Sequence, residues 1–111
     1  MSPHPAKRKG DKAEREAAGI LHNLLGVPAR RKLGAGRHDN IGDLDGVPDT
    51  VVQVTADRDR GLVSKPRECE VQQARAGATF GFTMVRLRGG QWRIVMTVDQ
   101  AATLWREAQP L

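Results

Sequence analysis

Apolar residues recur at helical spacing near the start of the chain and predict its first helix. Six of them repeat three or four positions apart, as on one face of a helix: Ala13, Ala17, Ile20, Leu21, Leu24 and Leu25. Asp11 is a suitable N-cap, and Glu14 follows three residues later, as in a capping box. Gly26 is a typical helix terminator. The pattern predicts a helix over residues 11–25, preceded by a flexible basic tail, residues 1–10.

A different pattern follows the helix and predicts strands. Residues 29–33 (ARRKL) favour an edge strand, and the next ten residues, GAGRHDNIGD, are too rich in Gly, Asp and Asn for anything but a loop. Residues 50–56 (TVVQVTA) are rich in β-branched side chains, which is typical of a strand. Side chains alternate along a strand, so Gln53 and Thr55 should share one face.

The second half of the chain predicts a helix and two more strands. Ser64 is a suitable N-cap, and Gly77 ends the helical segment that follows it. Residues 80–87 (FGFTMVRL) and 92–97 (WRIVMT) have strand composition and are separated by RGGQ. They favour a hairpin or two neighbouring strands.

A final helix, capped by Asp99 and ending at Ala108, completes the prediction, with Trp92 and Trp105 expected as core anchors. The predicted order is αβββαββα. Strands on both sides of a central helix indicate an α/β fold with a mixed sheet flanked by helices.

Length and composition favour one domain, residues 11–111. The chain has 111 residues, with 39% hydrophobic and 28% charged residues, so its core is modest and aliphatic. Cys69 is the one cysteine, which excludes an internal disulfide and a zinc site built from thiolates. No run approaches the roughly 20 apolar residues of a membrane span. We expect a cytoplasmic protein.

The positive charge is concentrated at the front of the chain. Residues 1–38 hold nine Lys or Arg and three Asp or Glu, whereas residues 39–111 hold nine and ten. A basic segment favours a nucleic-acid partner, although a solvated tail is the alternative for Lys7, Arg8 and Lys9. The predicted DNA-binding residues are Lys7, Arg8, Lys9, Arg15, Arg30, Arg31, Lys32 and Arg37. Residues 39–57 contain five Asp and no Lys or Arg, which suggests a bound cation.

Four polar residues are candidates for metal-dependent phosphodiester hydrolysis, which needs oxygen ligands for Mg²⁺ and a group that orients water. Glu14 lies on the inward flank of the first helix and Asp43 at the edge between loop and strand. Gln53 and Thr55 follow on one strand face. Each has a structural alternative: Glu14 completes a cap, Asp43 forms an Asx-turn, and Gln53 faces solvent.

Four segments resemble archaeal Holliday junction resolvases and phage-encoded resolvase-like nucleases of the PD-(D/E)xK superfamily. They are RKGDKAERE (residues 8–16), ARRKLGAGRHDNIGDLDGVPDTVVQV (29–54), EVQQARAGATFGF (70–82) and WRIVMTVD (92–99). The resemblance implies a restriction-endonuclease-like fold and a homodimeric nuclease acting in DNA recombination and repair. It also implies Mg²⁺ (or Mn²⁺) as cofactor and branched or four-way junction DNA as substrate.

The resemblance also assigns site residues. The helix Glu of the family corresponds to Glu14 and the Asp after the GD turn to Asp43, while its E-x-K pair falls on Gln53 and Thr55. These residues and Gln72, at the polar position of the following helix, form the implied catalytic set. Glu14, Asp43 and Gln53 are the implied metal ligands. Arg15 and Arg31 fall where family members carry basic residues beside the site.

The chain departs from this pattern at two positions. Gln53 replaces Glu, which is tolerable because an amide oxygen still ligates Mg²⁺. Thr55 replaces Lys and removes a charge whose electrostatic effect is commonly worth roughly 3 to 4 kcal/mol, or 10² to 10³ in rate. Lys65, Arg58 or Arg60 are alternative sources of that charge.

Three functions are therefore open. The first is a metal-dependent, structure-selective DNA endonuclease. The second is a DNA-binding protein of the same fold that has lost cleavage. The third is a structural or regulatory partner of phage proteins that keeps the fold as a scaffold.

Overall fold

A five-stranded mixed sheet flanked by helices forms the centre of the computed structural model, which describes residues 5–32 and 42–110, with side chains from residue 10 onward. The elements are α1 (Pro5–Leu25), β1 (Arg30–Arg31), β2 (Leu44–Asp45), β3 (Thr50–Thr55), α2 (Arg58–Leu62), α3 (Ser64–Ala76), β4 (Phe80–Arg86), β5 (Trp92–Val95) and α4 (Val98–Ala108). Within these ranges, no helix is long and apolar enough to cross a membrane.

The strands lie in the order β1-β2-β3-β4-β5. β1, β2 and β3 pair antiparallel, β3 pairs parallel with β4, and β4 pairs antiparallel with β5. A parallel pair needs a crossover connection, which α2 and α3 provide. The predicted mixed sheet with flanking helices is confirmed, and residues 80–87 and 92–97 do contain neighbouring antiparallel strands, each slightly shorter than predicted.

Helix α2 is absent from the predicted element order. Its N-cap is Asp57, whose Oδ1 accepts hydrogen bonds from the backbone N–H groups of Asp59, at 3.0 Å, and Arg60, at 3.2 Å. A helix of five residues is too short to show apolar periodicity, so the sequence pattern did not reveal it.

The two faces of the sheet are covered by different helices. On one face, the buried alanines of α1 and Leu21 pack against Val52, Val54 and Met84. Alanines let the helix axis approach the sheet closely. On the other face, the Cys69 thiol of α3 donates to the backbone oxygen of Val51, at 3.6 Å. Gln53 and Thr55 belong to this second face, because alternate residues of a strand point the same way.

The start of α1 differs from the prediction. The helix begins at Pro5 rather than Asp11, so residues 5–10 belong to it although the sequence indicated a tail. Asp11 lies inside the helix and does not cap it. Its Oδ1 instead lies 2.8 Å from Nη2 of Arg31, and this ion pair joins α1 to β1.

Helix α4 also departs from the prediction. Its N-cap is Thr97 rather than Asp99, and the Thr97 hydroxyl accepts from the Gln100 N–H at 3.2 Å. Trp92 packs against the core, as expected. Trp105 is 65% exposed, so its prediction as a core anchor is wrong. Its helix has an apolar stripe, but that stripe faces outward.

The C-terminus of α3 agrees with the prediction. Gly77 has φ +64° and ψ +26°, the left-handed conformation, and its N–H bonds back to the last turn of the helix. The helix runs from Ser64 to Ala76. The prediction of Ser64 as the N-cap is wrong, because Val63 takes the cap position, without a side-chain hydrogen bond.

Candidate active site

Asp43 is held beside β3 by backbone hydrogen bonds. Its N–H donates to the Val52 oxygen at 2.7 Å, and its Oδ2 accepts from the Val54 N–H at 2.8 Å. Gly42 precedes it with φ +71°, and a Cβ there would lie 3.0 Å from the Val52 oxygen. The carboxylate is therefore fixed against the central strand, which a simple Asx-turn does not require.

Gln53 is buried, with 2% of its surface exposed, so the solvent-facing alternative is wrong. Its Nε2 donates to Oε1 of Gln72 at 2.5 Å. The same Gln72 oxygen accepts from the Gly42 N–H at 2.7 Å. Gln72 therefore connects helix α3 to the turn that carries Asp43, and it orients the Gln53 amide so that Oε1 faces the site.

Lys65, in the first turn of α3, contacts both Asp43 and Gln53. Its Nζ lies 3.0 Å from Gln53 Oε1 and 3.4 Å from Asp43 Oδ2. Of the three candidate sources of the missing positive charge, Lys65 is the one that the structure brings to Asp43 and Gln53. Arg58 pairs with its neighbour Asp59, at 3.7 Å, with its side chain 75% exposed, and Arg60 is also exposed.

A sequence signal for Lys65 exists in the helical spacing of α3. Lys65, Cys69 and Gln72 are separated by four and three residues, so they lie on one face of a helix. Cys69 is an apolar, buried residue and marks that face as the one against the sheet. The two polar residues on the same face therefore point at β3.

Glu14 approaches from the opposite helix, α1. Its Oε1 lies 3.4 Å from Nε of Arg31. Burial raises the pKa of Glu14, the negative charge of Asp43 raises it further, and the hydrogen bond from Arg31 opposes both effects. Glu14 and Asp43 are thus neighbouring, partly desolvated carboxylates whose repulsion a shared cation would relieve.

Among the described residues, no hydrogen bond joins the Thr55 side chain to Asp43, Gln53, Gln72 or Lys65. It is only 8% exposed, and its hydroxyl accepts from the Asp57 N–H at 3.0 Å. A Cβ on Gly61 of α2 would lie 3.2 Å from the Thr55 methyl carbon and 2.6 Å from Val85. Thr55 therefore supports the turn into α2 and packs beneath that helix.

The predicted DNA-binding residues that the structure describes belong to α1 and to the segment of β1. The backbone of Lys7, Arg8 and Lys9 lies in α1, and their side chains, like the whole of Arg37, lie outside the described residues. The others lie at or near the surface: Arg15 on α1, Arg30 and Arg31 in β1, and Lys32 directly after it. Arg31 is paired with Asp11 and Glu14, and Lys32 with Asp45 at 3.8 Å.

The oxygen donors of the cluster fit a hard divalent cation. Two carboxylates, of Glu14 and Asp43, and the amide oxygen of Gln53 are the type of ligand that Mg²⁺ or Mn²⁺ takes, with waters completing the shell. Residues 10–32 and 42–110 contain no group of three or more His, Cys, Asp or Glu able to hold a metal. Cys69 offers no thiolate, because burial raises its pKa to about 11.

No family model, no curated protein and no solved structure matches this chain.

Proposed function

We propose that this protein is a metal-dependent DNA endonuclease of the PD-(D/E)xK type, acting on branched DNA such as a four-way junction. The observation that carries the proposal is the contact of Lys65 on α3 with Asp43 at the β2 edge and Gln53 on β3. Glu14 of α1 is near enough for the charge of Asp43 to raise its pKa. Desolvating two carboxylates and an ammonium is costly, and a purely structural contact would be as stable with apolar residues. Such a cost is typical of a functional site.

Each residue has a specific task in phosphodiester hydrolysis. Glu14, Asp43 and the Gln53 amide oxygen would hold Mg²⁺, which when bound would supply Lewis-acid stabilisation of the phosphate. Gln72 and the Val54 N–H keep two of these ligands in place. The water oxygen bonds to phosphorus as the bond from phosphorus to one deoxyribose oxygen breaks. The water gives up a proton to solvent, and the leaving deoxyribose oxygen takes up a proton from solvent.

The topology is consistent with this proposal. The chain forms a helix, three antiparallel strands, a helical crossover and a parallel strand, in that order. This topology places the turn before β2, the middle of β3 and the start of α3 beside one another. This is the arrangement that the resemblance implies for a resolvase-like nuclease. The concentration of basic residues at the front of the chain supports DNA as the partner.

The second candidate function is DNA binding without cleavage. It is favoured by the contact of Lys65 with Asp43 and Gln53, because an ammonium there partly neutralises the oxygens that a metal needs. Glutamine in place of glutamate at position 53 reduces the negative charge of the site further.

A homodimer is part of the proposal. Cutting two opposed strands of a junction needs two sites, and the described residues bring together one such cluster per chain. Helix α4 presents Val98, 83% exposed, and Trp105, 65% exposed, as surface that a second copy would cover.

Cleavage of a labelled four-way junction with Mg²⁺ or Mn²⁺ tests the proposal. We expect the wild type to cut the junction in preference to duplex of the same sequence. Asp43→Asn, which keeps the shape of the side chain but removes its negative charge, should bind the junction without cutting. Binding without cutting by the wild type would leave the second candidate, and loss of both would exclude both.

A further inference from the structure

We infer that Lys65, delivered by helix α3, supplies the positive charge that nucleases resembling this chain take from a strand lysine at the position of Thr55. The inference rests on the proposed endonuclease function and assigns one of its catalytic residues. It also makes Thr55 a structural residue.

The geometry of Lys65 is that of a site residue. Its side chain is 15% exposed, and its Nζ is within hydrogen-bonding or ion-pair distance of two proposed metal ligands. Position 55, in contrast, is occupied by a side chain that supports α2. The strand position is therefore closed to a lysine, while the adjacent helix position already provides one.

The contacts of Lys65 suit a catalytic role better than a structural one. Asp43 Oδ2 already accepts from the Val54 N–H, and the Gln53 amide is already held by Gln72. A long side chain that loses rotamer freedom and hydration to reach these atoms is a poor structural device. An ammonium beside the reacting phosphate stabilises the negative charge that develops on its oxygens as water attacks.

A cation at the carboxylates changes the position of the ammonium. A divalent ion held by Asp43 and Gln53 would repel the Lys65 ammonium, whose Nζ lies 3.4 Å from Asp43 Oδ2 and 3.0 Å from Gln53 Oε1. The flexible lysine stem allows Nζ to leave these oxygens and contact a non-bridging oxygen of the bound phosphate. Lys65 therefore competes with the metal before DNA binds and contacts the substrate afterwards.

The first experiment removes the charge and keeps the stem, with Lys65→Met. Single-turnover cleavage of a four-way junction by this variant should fall by on the order of 10² to 10³, with junction affinity changed only a few-fold. Arg58→Met, which removes an exposed charge, is the control and should cut like the wild type. Calorimetric titration of Mn²⁺ without DNA should show equal or tighter binding to Lys65→Met than to the wild type.

The second experiment restores the charge chemically. Lys65→Cys, alkylated with 2-bromoethylamine, carries an ammonium on a stem of nearly lysine length. We expect the unmodified variant to be defective and the alkylated protein to recover most of its cleavage. Cys69 is buried and its pKa is raised to about 11, so the wild type treated in parallel should keep its mass and activity. Because both forms share one polypeptide, recovery also excludes a folding defect.

The outcomes separate this inference from the proposed function. Cleavage by the wild type with no loss in Lys65→Met, or no recovery on alkylation of Lys65→Cys, would overturn the assignment of Lys65 and leave the endonuclease. Weaker Mn²⁺ binding by Lys65→Met would overturn the proposed competition between Lys65 and the metal. It would show instead that Lys65 holds the metal ligands in place. A wild type that never cuts would overturn both proposals.

Discussion

Glu14 illustrates how a single residue can be unfavourable for stability and suited to metal binding. Burial and the charge of Asp43 raise its pKa above the ordinary value of 4.5. The folded protein therefore retains this proton at a pH where the unfolded chain has released it. The corresponding stability is fully present below pH 4.5 and is lost as pH rises through the raised pKa of the folded state.

We expect Glu14→Gln, which cannot ionise, to have a higher free energy of unfolding than the wild type at pH 7 in chelator. The difference should decrease as pH falls towards 4, where Glu14 is protonated in both states. Urea denaturation at a series of pH values measures it. Added Mn²⁺ should stabilise the wild type more than the variant. A constant difference across pH would contradict this account.

At the scale of elements, the contact of α2 with the end of β3 decides what position 55 can hold. The pattern of alternation indicates that a lysine there would project beside Gln53 into a site already shaped for it. The structure instead has the Thr55 methyl against α2 and its hydroxyl on the Asp57 N–H. A longer side chain has to displace α2 or bury its ammonium.

We therefore expect Thr55→Lys to lower the free energy of unfolding by about 1 to 3 kcal/mol through overpacking, without increasing junction cleavage. Thr55→Val, which keeps the volume and removes the hydroxyl, should cost only about 1 kcal/mol. Chemical denaturation and single-turnover cleavage of both variants are the measurements. A rise in cleavage of 10² or more for Thr55→Lys would restore the strand position as the natural site of the charge.

At the scale of the whole molecule, α4 leaves an apolar surface that the monomer does not bury. We expect the protein to sediment as a dimer at micromolar concentration and Trp105→Lys to shift it to the monomer. Glu107→Lys, two residues on and on the opposite side of the helix, is the matched control and should remain dimeric. A wild type that stays monomeric at high concentration would exclude the homodimer.

The uneven charge of the chain leads to a second prediction at this scale. Replacing Lys7, Arg8 and Lys9 together by Gln keeps the length of α1 and removes three charges. The salt dependence of junction binding should flatten by about 0.9 in slope for each phosphate contact that is lost. Titrations at several salt concentrations measure the slope, and the same substitutions at Arg88, Arg93 and Arg106 are the control. An unchanged slope would identify the segment as solvated and without a role in binding.

The sequence by itself determined what depends on local periodicity. Residues 50–56 form a strand because β-branched side chains fit a pleated sheet, and Gly77 ends α3 because glycine adopts positive φ at no steric cost. The alternation along β3 also places Gln53 on the face opposite Val52 and Val54. Glu14 and Asp43 could be predicted as candidates because carboxylates in these positions follow a motif.

Only the tertiary structure decided which side chains meet across elements. The docking of α3 on the sheet brings Lys65 within 3.0 Å of Gln53, although twelve residues separate them along the chain. The packing of α2 buries Thr55, and the outward orientation of α4 exposes Trp105. Periodicity defines the faces of an element but not the partner that each face receives, because that choice depends on the shape and hydrogen bonding of surfaces distant in sequence.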